Sequence, residues 1–336
     1  MSTQHTRLMM LHAFTFLHPG TGQTTGVVDL PVQREVHTGF PMIASSGLKG
    51  AMRDKAERQW CWIPIGSDTD KKICPKANSV FGPDTGRGEA AGALAVSDAR
   101  ILLLPVRSLQ KVFLWVTCPM VLARLARDVE LAQISEPQGT DWTSLNKIKV
   151  GSGSFVTPND SGLPEHVALE ELRLDRDNDS NGQTECASLA TLLTTLVPRL
   201  GDLNLPGRLV VIGDEDFAYL CRHALQVSAR IALNDRKTTT GGGGNLWYEE
   251  TLPPETIFYA LLLAEKPRYE MAKSAAEPVP DMPADAAGVI KITEGLFAGN
   301  KDRPYLQVGG NETVGQGWCH VTLVGAPTVS GSGVRQ

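Results

Sequence analysis

A short stretch near the N-terminus combines an isolated carboxylate with the hydroxyls and cations that could hold a phosphate backbone. Within GVVDLPVQREVHTGFPMIASSGLKGAMRD, Asp29 lies two residues before a proline, and Ser45 and Ser46 precede a helical pattern. Either serine is predicted to cap that helix, because a hydroxyl there accepts a hydrogen bond from a free first-turn amide. Free amides and the positive end of a helix dipole attract phosphate. Lys49 and Arg53, four residues apart, share one face beside them, so the stretch favours a nucleic-acid backbone held near an acid.

A different enzyme class competes for the same residues. Ser46 and Lys49 match the Ser-x-x-Lys signature of penicillin-recognising acyl enzymes, and Lys237-Thr238 resembles their later Lys-Thr element. The third element, Ser-Asp-Asn, is absent from the sequence. Penicillin-recognising enzymes are usually exported, whereas the N-terminus lacks the basic and apolar segments of a signal peptide. Both observations disfavour the acyl-enzyme interpretation. Asp29 alone has a simple structural explanation too, since aspartate near proline often forms turns.

A second unusual stretch, Gly309–Gly317, is very rich in glycine. Exposed backbone amides in such a loop can lie against phosphate or ribose oxygens, although a tight structural turn explains the same pattern. The loop precedes a strand rather than opening a helix, which excludes a dinucleotide-binding fingerprint.

Composition limits the class of protein. The chain has 336 residues, 42% apolar and 21% charged, which is ordinary for a globular protein. Its net charge of −5 argues against a broadly basic nucleic-acid binder but leaves room for local grooves. Residues 47–59 carry a net +2 and residues 222–237 a net +3. No apolar run approaches the roughly 20 residues of a membrane span, so a cytoplasmic location is expected.

The six cysteines are scattered along the chain without a Cys-x-x-Cys pair. Cys61 and Cys74 do not match a standard zinc-ligand spacing. We therefore expect all six cysteines to be buried, reduced thiols.

Apolar patterns alternate between strands and helices, which predicts an α/β sandwich with large insertions. Strands are predicted within residues 7–17, 93–97, 101–105, 111–117, 255–264, 305–308 and 318–324. Helices are predicted at residues 47–60, 120–133, 187–200, 214–226 and 289–298. Residues 61–92 and 135–186 are interpreted as loop-rich insertions. Residues 227–233 and 247–252 are predicted to pair as a projecting hairpin, because four glycines lie at its tip.

Three stretches together resemble the RAMP superfamily. They are GVVDLPVQREVHTGFPMIASSGLKGAMRD, RIALNDRKTTTGGGGNLWYEETLPPET and LQVGGNETVGQGW, in the order and over nearly the whole length that this family shows. The resemblance is strongest to the backbone subunits of type III-B (Cmr) CRISPR effector complexes.

This resemblance implies a single RAMP domain over residues 1–336, with a ferredoxin-like, RRM-like palm of α/β (α+β) class. The palm core would comprise residues 1–60, 93–134, 187–226, 253–266 and 289–325. Residues 61–92 and 135–186 would be insertions, and residues 227–252 the thumb hairpin. The family also stacks identical copies head to tail along a guide RNA, and such heterologous contacts build helical filaments rather than rings.

The resemblance also assigns residues to roles. Asp29 would be the catalytic residue and a metal ligand. Guide RNA would be held by Ser45, Ser46, Lys49, Arg53, Gly309, Gly310, Asn311, Gly315 and Gly317. The thumb residues that meet the target would be Lys237, Thr238, Leu246 and Trp247.

The implied activity is cleavage of complementary single-stranded target RNA at regular intervals, dependent on Mg²⁺ or Mn²⁺, in antiviral defence. The ribose 2′-hydroxyl would be the nucleophile, and Asp29 would hold the metal or take the proton. His18 and Glu249 are weaker candidates for assisting. The implied partners are guide RNA, target RNA, further copies of the chain and other Cmr subunits. A non-catalytic scaffold is the alternative within the same family.

Overall fold

The computed structural model describes residues 5–23, 26–61, 74–83, 90–233, 235, 238, 246–268, 281–298 and 304–325. Within these residues the strands are β1 (Thr6–Ala13), β2 (Met42–Ile43), β3 (Leu94–Val96), β4 (Ala99–Arg107), β5 (Phe113–Thr117), β6 (Ser154–Val156), β7 (His166–Leu169), β8 (Leu172–Arg176), β9 (Leu209–Ile212), β10 (Gln226–Ile231), β11 (Leu246–Thr251), β12 (Ile257–Ala264), β13 (Tyr305–Gln307) and β14 (Trp318–Val324).

The α-helices of the same part of the chain are α1 (Ser45–Trp60), α2 (Pro75–Phe81), α3 (Pro119–Leu131), α4 (Ser180–Leu196), α5 (Arg199–Asp202), α6 (Asp214–His223) and α7 (Ala286–Ala298). Two short 3₁₀ turns lie at Trp142–Asn146 and Glu312–Val314. None of the helices described here has both the length and the apolar character needed to cross a bilayer.

The central part of the sheet has ferredoxin-like connectivity. In chain order β1, α1, β4, β12, α7 and β14 form a βαββαβ series, with the segment between β4 and β12 inserted. The four strands lie in the order β14–β1–β12–β4, and each neighbouring pair is antiparallel. This is the topology of the ferredoxin-like motif, so the predicted palm is confirmed.

Continuous burial explains why the first strand was easy to predict. All eight residues of β1 are buried, and a strand covered on both faces has an uninterrupted apolar sequence rather than an alternating one. Helix α1 buries Leu48, Met52 and Ala56. These residues recur every four positions, the spacing of one helix face, and the predicted helix at 47–60 is confirmed with a start two residues earlier.

The interpretation of residues 135–186 as a loop-rich insertion missed three strands. These residues contain β6, β7 and β8, which continue the large sheet beyond β4 in the order β5–β9–β6–β8–β7. The three strands are only three to five residues long and carry exposed or half-exposed positions, so they lack a recognisable apolar pattern. Strand β9 was missed as well, although its four residues are all buried.

The predicted hairpin forms a sheet of its own. Strands β10 and β11 pair in antiparallel register from Gln226–Thr251 to Ile231–Leu246 and lie outside the large sheet. Val227, Ile231, Leu246 and Tyr248 share one face, and the exposed fractions of these side chains lie between 43% and 54%. Most of the glycine-rich tip lies outside the described residues.

The prediction of six reduced cysteines is wrong for one pair. Cys61 and Cys74 form a disulfide with their Cα atoms 4.6 Å apart. Cys61 directly follows α1 and Cys74 directly precedes α2, so helix packing that the sequence did not reveal brings them together. The other four cysteines are buried and unbridged, and burial raises the pKa of each of these thiols.

Candidate nucleic-acid interface

The loop that carries Asp29 is attached to the root of the hairpin. The Leu30 amide donates to the Tyr248 carbonyl at 3.0 Å, and the Glu250 amide donates to the Leu30 carbonyl at 3.0 Å. The Tyr248 amide in turn donates to Oδ2 of Asp29 at 2.7 Å. Two backbone bonds and one side-chain bond therefore fix Asp29 against the outer edge of β11.

Asp29 keeps part of its hydrogen-bonding capacity free. Its side chain is half-exposed, and in the described part of the chain Oδ1 has no hydrogen-bond partner. A carboxylate with one anchored and one available oxygen can accept a proton or a ligand without losing its position. This arrangement suits a group that acts on something outside the protein.

The neighbouring carboxylates on β11, those of Glu249 and Glu250, are both paired with other protein groups. Glu249 is buried and accepts from the Asn311 side chain at 2.5 Å, with Nε of Arg230 3.5 Å from its other oxygen. Glu250 accepts from Arg34 at 2.5 Å and from the Val32 amide at 3.0 Å. Buried charges of this kind stabilise a fold only while they remain paired, so both glutamates fasten the hairpin to its surroundings.

His18 also lies at this root. Its ring is buried, and Nδ1 donates to the Glu250 carbonyl at 2.7 Å. The His18 carbonyl accepts from the Gly310 amide at 3.0 Å. His18 therefore connects β11 to the glycine loop, which brings the three characteristic stretches of the sequence together at one place.

The start of α1 differs from its prediction in one respect. Neither Ser45 nor Ser46 is the N-cap: that position is Ala44, which makes no side-chain cap. The Ser45 amide donates instead to Oδ1 of Asp98 at 2.7 Å. Asp98 directly precedes β4, and strand β2 pairs with the first residues of β4, so the sheet brings this carboxylate to the helix end. The amides of Ser46 and Gly47 have no acceptor among the described residues.

Lys49 and Arg53 share a face of α1, as predicted, but their surroundings differ. Lys49 is half-buried and has no acidic partner in the described chain; burial lowers its pKa, and the nearby Arg53 lowers it further. Arg53 is bonded to Glu57 at 2.6 Å, to the Asn78 side chain at 3.1 Å and to the Gly82 carbonyl at 2.5 Å. Lys49 is thus the cation with unused capacity, while Arg53 holds α2 against α1.

The glycine loop joins β13 to β14 as a compact turn. The amides of Gly310, Gly315 and Gly317 donate to carbonyls of His18, Glu312 and Phe16, at 3.0, 2.9 and 2.8 Å. These three amides are therefore not available to a phosphate.

The other residues of this loop form an exposed outer surface, and Asn311 fixes the loop from within. Asn311 has a left-handed backbone, with φ of 64°, and its side chain donates to Glu249 and Gln316. Gly309, Gly310 and Glu312 to Gly315 are exposed. The loop thus presents an outer surface, whereas its inner amides are satisfied.

The predicted thumb residues are only partly described. Lys237 lies outside the described residues, and Thr238 is exposed. Leu246 is exposed and lies opposite Ile231, whereas Trp247 is half-buried and lies opposite Arg230 on the other face of the hairpin. The two predicted target contacts on β11 thus belong to opposite faces.

The described residues do not form a protein metal site. No group of three or more His, Cys, Asp or Glu side chains in them is arranged to hold a metal ion. Asp29 would contribute one oxygen, because the other accepts from Tyr248. A divalent cation prefers six or more oxygen ligands, so the residues present do not fit a metal that the protein binds alone.

Known proteins match this chain over a range that includes the three characteristic stretches. The model of the RAMP superfamily matches residues 11–320. The CRISPR system Cmr endoribonuclease Cmr4 of Pyrococcus furiosus is 36% identical over 317 residues, which covers 94% of this chain and 95% of that protein. The chain therefore belongs to the RAMP superfamily, and within it to the Cmr4 family.

Solved structures agree with this assignment. The crystal structure of oligomeric Cmr4 from Pyrococcus furiosus superposes with a TM-score of 0.64 at 29% identity, over 96% of this chain and 98% of that one. A chain of the type III-B Cmr-beta complex bound to cognate target RNA gives a TM-score of 0.66 at 22% identity, over 95% and 96%. The latter similarity concerns the fold.

Proposed function

We propose that this chain is the guide-RNA-binding backbone subunit of a type III-B CRISPR effector complex in antiviral defence. Further copies of the chain and other Cmr subunits would assemble with it along the guide, in the cytoplasm. The proposal is supported by the similarity to Cmr4 over 94% of this chain; Cmr4 of Pyrococcus furiosus crystallises as an oligomer.

The observation that carries the proposal is the convergence at the hairpin root. Asp29, β11 and the glycine loop are tied together there by the bonds to Tyr248, His18 and Glu249. A projecting hairpin with an exposed apolar face and a half-exposed carboxylate at its base suits an RNA strand that passes the root. Lys49 and the open amides at the start of α1 supply a place for guide phosphates.

We further propose that Asp29 makes the subunit an endoribonuclease. RNA carries its own nucleophile in the 2′-hydroxyl, and holding that oxygen in line with the phosphate removes much of the barrier. Oδ1 of Asp29 can take the hydroxyl proton as a general base, while the Tyr248 amide keeps the carboxylate oriented through Oδ2. The expected products are a 2′,3′-cyclic or 3′ phosphate and a 5′-hydroxyl.

Dependence on Mg²⁺ or Mn²⁺ remains a proposal drawn from the family. The protein residues present do not build such a site, so no step of the mechanism above passes through a metal. Measuring cleavage by the assembled complex across a titration of each cation, with a chelator as the zero point, tests this dependence directly.

The decisive variant is Asp29→Asn. The amide oxygen can still accept from the Tyr248 amide, so the loop should keep its attachment to β11, whereas the base is lost. We expect cleavage by the reconstituted complex to fall by about 10²- to 10⁴-fold, with target binding unchanged in a gel-shift assay. Asp160→Asn, the same change at an exposed loop residue, should cleave like the wild type.

Each alternative predicts a different result. A non-catalytic scaffold would show no difference between Asp29→Asn and the wild type, and loss of both binding and cleavage would mean that Asp29 is structural. The acyl-enzyme alternative requires Ser46 to be activated by a bonded base. No hydrogen bond joins Ser46 to Lys49 within the described residues, so a β-lactam probe should leave Ser46 unlabelled.

A further inference from the structure

A groove beside the glycine loop is not used by any role assigned so far. It lies between the second half of α1 and the strands β13 and β14, and its volume is about 380 Å³. The side chains that matter for its chemistry are Lys55, Arg58, Gln59, Tyr305, Gln307 and Trp318. Its size is at the lower end of the range for small-molecule sites.

The indole of Trp318 lines this groove. It is 39% exposed, although both chain neighbours, Gly317 and Cys319, are buried. Its backbone is fixed, because Trp318 pairs with Gln307 and its amide donates to the Thr15 hydroxyl at 3.0 Å. A large aromatic ring is therefore presented to solvent by a rigid strand.

The cations of the groove are already neutralised or engaged. Nζ of Lys55 donates to the Tyr305 carbonyl at 2.7 Å. Arg58 pairs with Asp54 at 2.8 Å and with Glu312 at 3.3 Å. A site for a phosphate would leave such charges open, so the groove is better suited to an uncharged ligand.

A polar edge completes the recognition surface. The Gln59 side chain is exposed and has no hydrogen-bond partner in the described part of the chain. An amide offers both a donor and an acceptor, and an indole face beside it offers a stacking platform. A flat, neutral ring with hydrogen-bonding edges matches both features.

We infer that this groove binds a nucleobase of the RNA, stacked on the indole of Trp318. The inference rests on the proposed function and adds a base contact to it. Trp318 directly follows the glycine loop, and Arg58 is joined to Glu312 within that loop. RNA that crosses the outer surface of the loop therefore passes the mouth of the groove.

The first test measures guide-RNA affinity of Trp318→Ala and Trp318→Phe in the full-length protein at several salt concentrations. Removing one stacking platform weakens single-strand binding by about fivefold to a hundredfold, and phenylalanine should restore most of the loss. The slope of log K against log salt should stay at its wild-type value, because stacking releases no counterions. Trp142→Phe, an indole on a 3₁₀ turn outside the groove, is the control.

The second test uses the wild-type protein and so does not depend on the folding of a variant. A guide RNA carrying 5-iodouridine is bound and irradiated, and the crosslinked peptide is sequenced. Crosslinking to the peptide that contains Trp318 is the expected result. Crosslinks only elsewhere would overturn the inference.

The outcomes separate this inference from the proposed function. Normal RNA affinity of Trp318→Ala, with a reduced affinity of Lys49→Met, would refute the nucleobase site and leave guide binding intact. Failure of the wild-type protein to bind guide RNA would refute the proposed function itself. Loss of self-association by Trp318→Ala without RNA would show that the groove is a protein interface, which also overturns the inference.

Discussion

The start of α1 and the glycine loop were both predicted to hold guide RNA through backbone amides, but their amides are used differently. At the start of α1 the amides of Ser46 and Gly47 have no acceptor in the described chain. In the glycine loop the amides of Gly310, Gly315 and Gly317 all donate to protein carbonyls. The first region is open to a ligand, whereas the second is closed by its own fold.

The glycines of the loop serve close packing of the backbone rather than exposure of its amides. Gly309 and Gly317 have φ of 84° each, and an added Cβ would clash with the carbonyl oxygens of His18 and Val308. These glycines let backbone approach backbone, which packs the loop against His18 beyond β1 and closes it on Val308. The amides of Gly310 and Gly317 donate to the carbonyls of His18 and Phe16, which lie outside the motif, so the motif alone does not show which amides remain free.

Comparing Gly317→Ala with Gly315→Ala tests how much the close backbone contact at Gly317 contributes to stability. Both glycines have positive φ, but nothing lies within 4 Å of the position of a Cβ at Gly315. The left-handed conformation alone costs about 1–2 kcal/mol for an alanine. The clash at Gly317 should raise its loss of unfolding free energy to about 4 kcal/mol or more.

Urea denaturation of the two variants measures this difference. Equal and small losses would mean that the loop relaxes and that its tight closure is not essential. A larger loss for Gly315→Ala than for Gly317→Ala would contradict the structural role given to Gly317.

Lys49 offers a test at the other region. Lys49→Met keeps most of the alkyl chain and removes a half-buried charge that has no acidic partner in the described residues. Guide affinity should fall, and the salt slope should decrease by about 0.7 to 1 per copy, since one phosphate contact is lost. The isolated protein should become slightly more stable, by less than about 1 kcal/mol.

The sign of the pH dependence follows from the lowered pKa of Lys49. The unfolded chain binds this proton more tightly than the folded one, so the charged lysine opposes folding below its folded-state pKa. That penalty disappears as the pH rises from the folded-state pKa to the ordinary value of 10.5. The stability advantage of Lys49→Met should shrink over this window, and a constant advantage would contradict the cause given.

The palm could be predicted from the sequence because its strands are long or wholly apolar. Strand β14 was predicted at its observed bounds. The predicted start of β1 lies one residue from the observed start, and its predicted end four residues beyond the observed end. Helix α1 was predicted with its observed end and a start two residues late. Strands β6, β7 and β8 were missed, because three to five residues with exposed positions give no period. Their stability comes from neighbours in the sheet, and that information is not local.

The candidate site shows the same limit. Asp29 could be singled out by its resemblance, but its anchor is the amide of Tyr248, 219 residues away. The engagement of Arg53 with Asn78 and Gly82 depends on α2, which the sequence did not predict. Residue types and spacing identified the candidates, whereas their availability depended on long-range packing.

A further prediction concerns the N-terminal end of α1. Ser46 was predicted as one of two candidate caps, yet the structure places Asp98 on the Ser45 amide at 2.7 Å. Asp98→Ala removes that acceptor and should cost about 1 kcal/mol, the usual value of a capping interaction. Ser46→Ala removes an exposed hydroxyl that caps nothing, so its effect on stability should stay within about 0.5 kcal/mol.

Thermal denaturation of both variants decides between the two capping arrangements. A larger loss for Ser46→Ala would restore the serine as the cap and remove Asp98 from that role. If Asp98→Ala costs more stability than Ser46→Ala, the Asp98 carboxylate satisfies the Ser45 amide and the next two amides are left for a ligand. Asp98 would then limit the proposed anion site to the amides of Ser46 and Gly47.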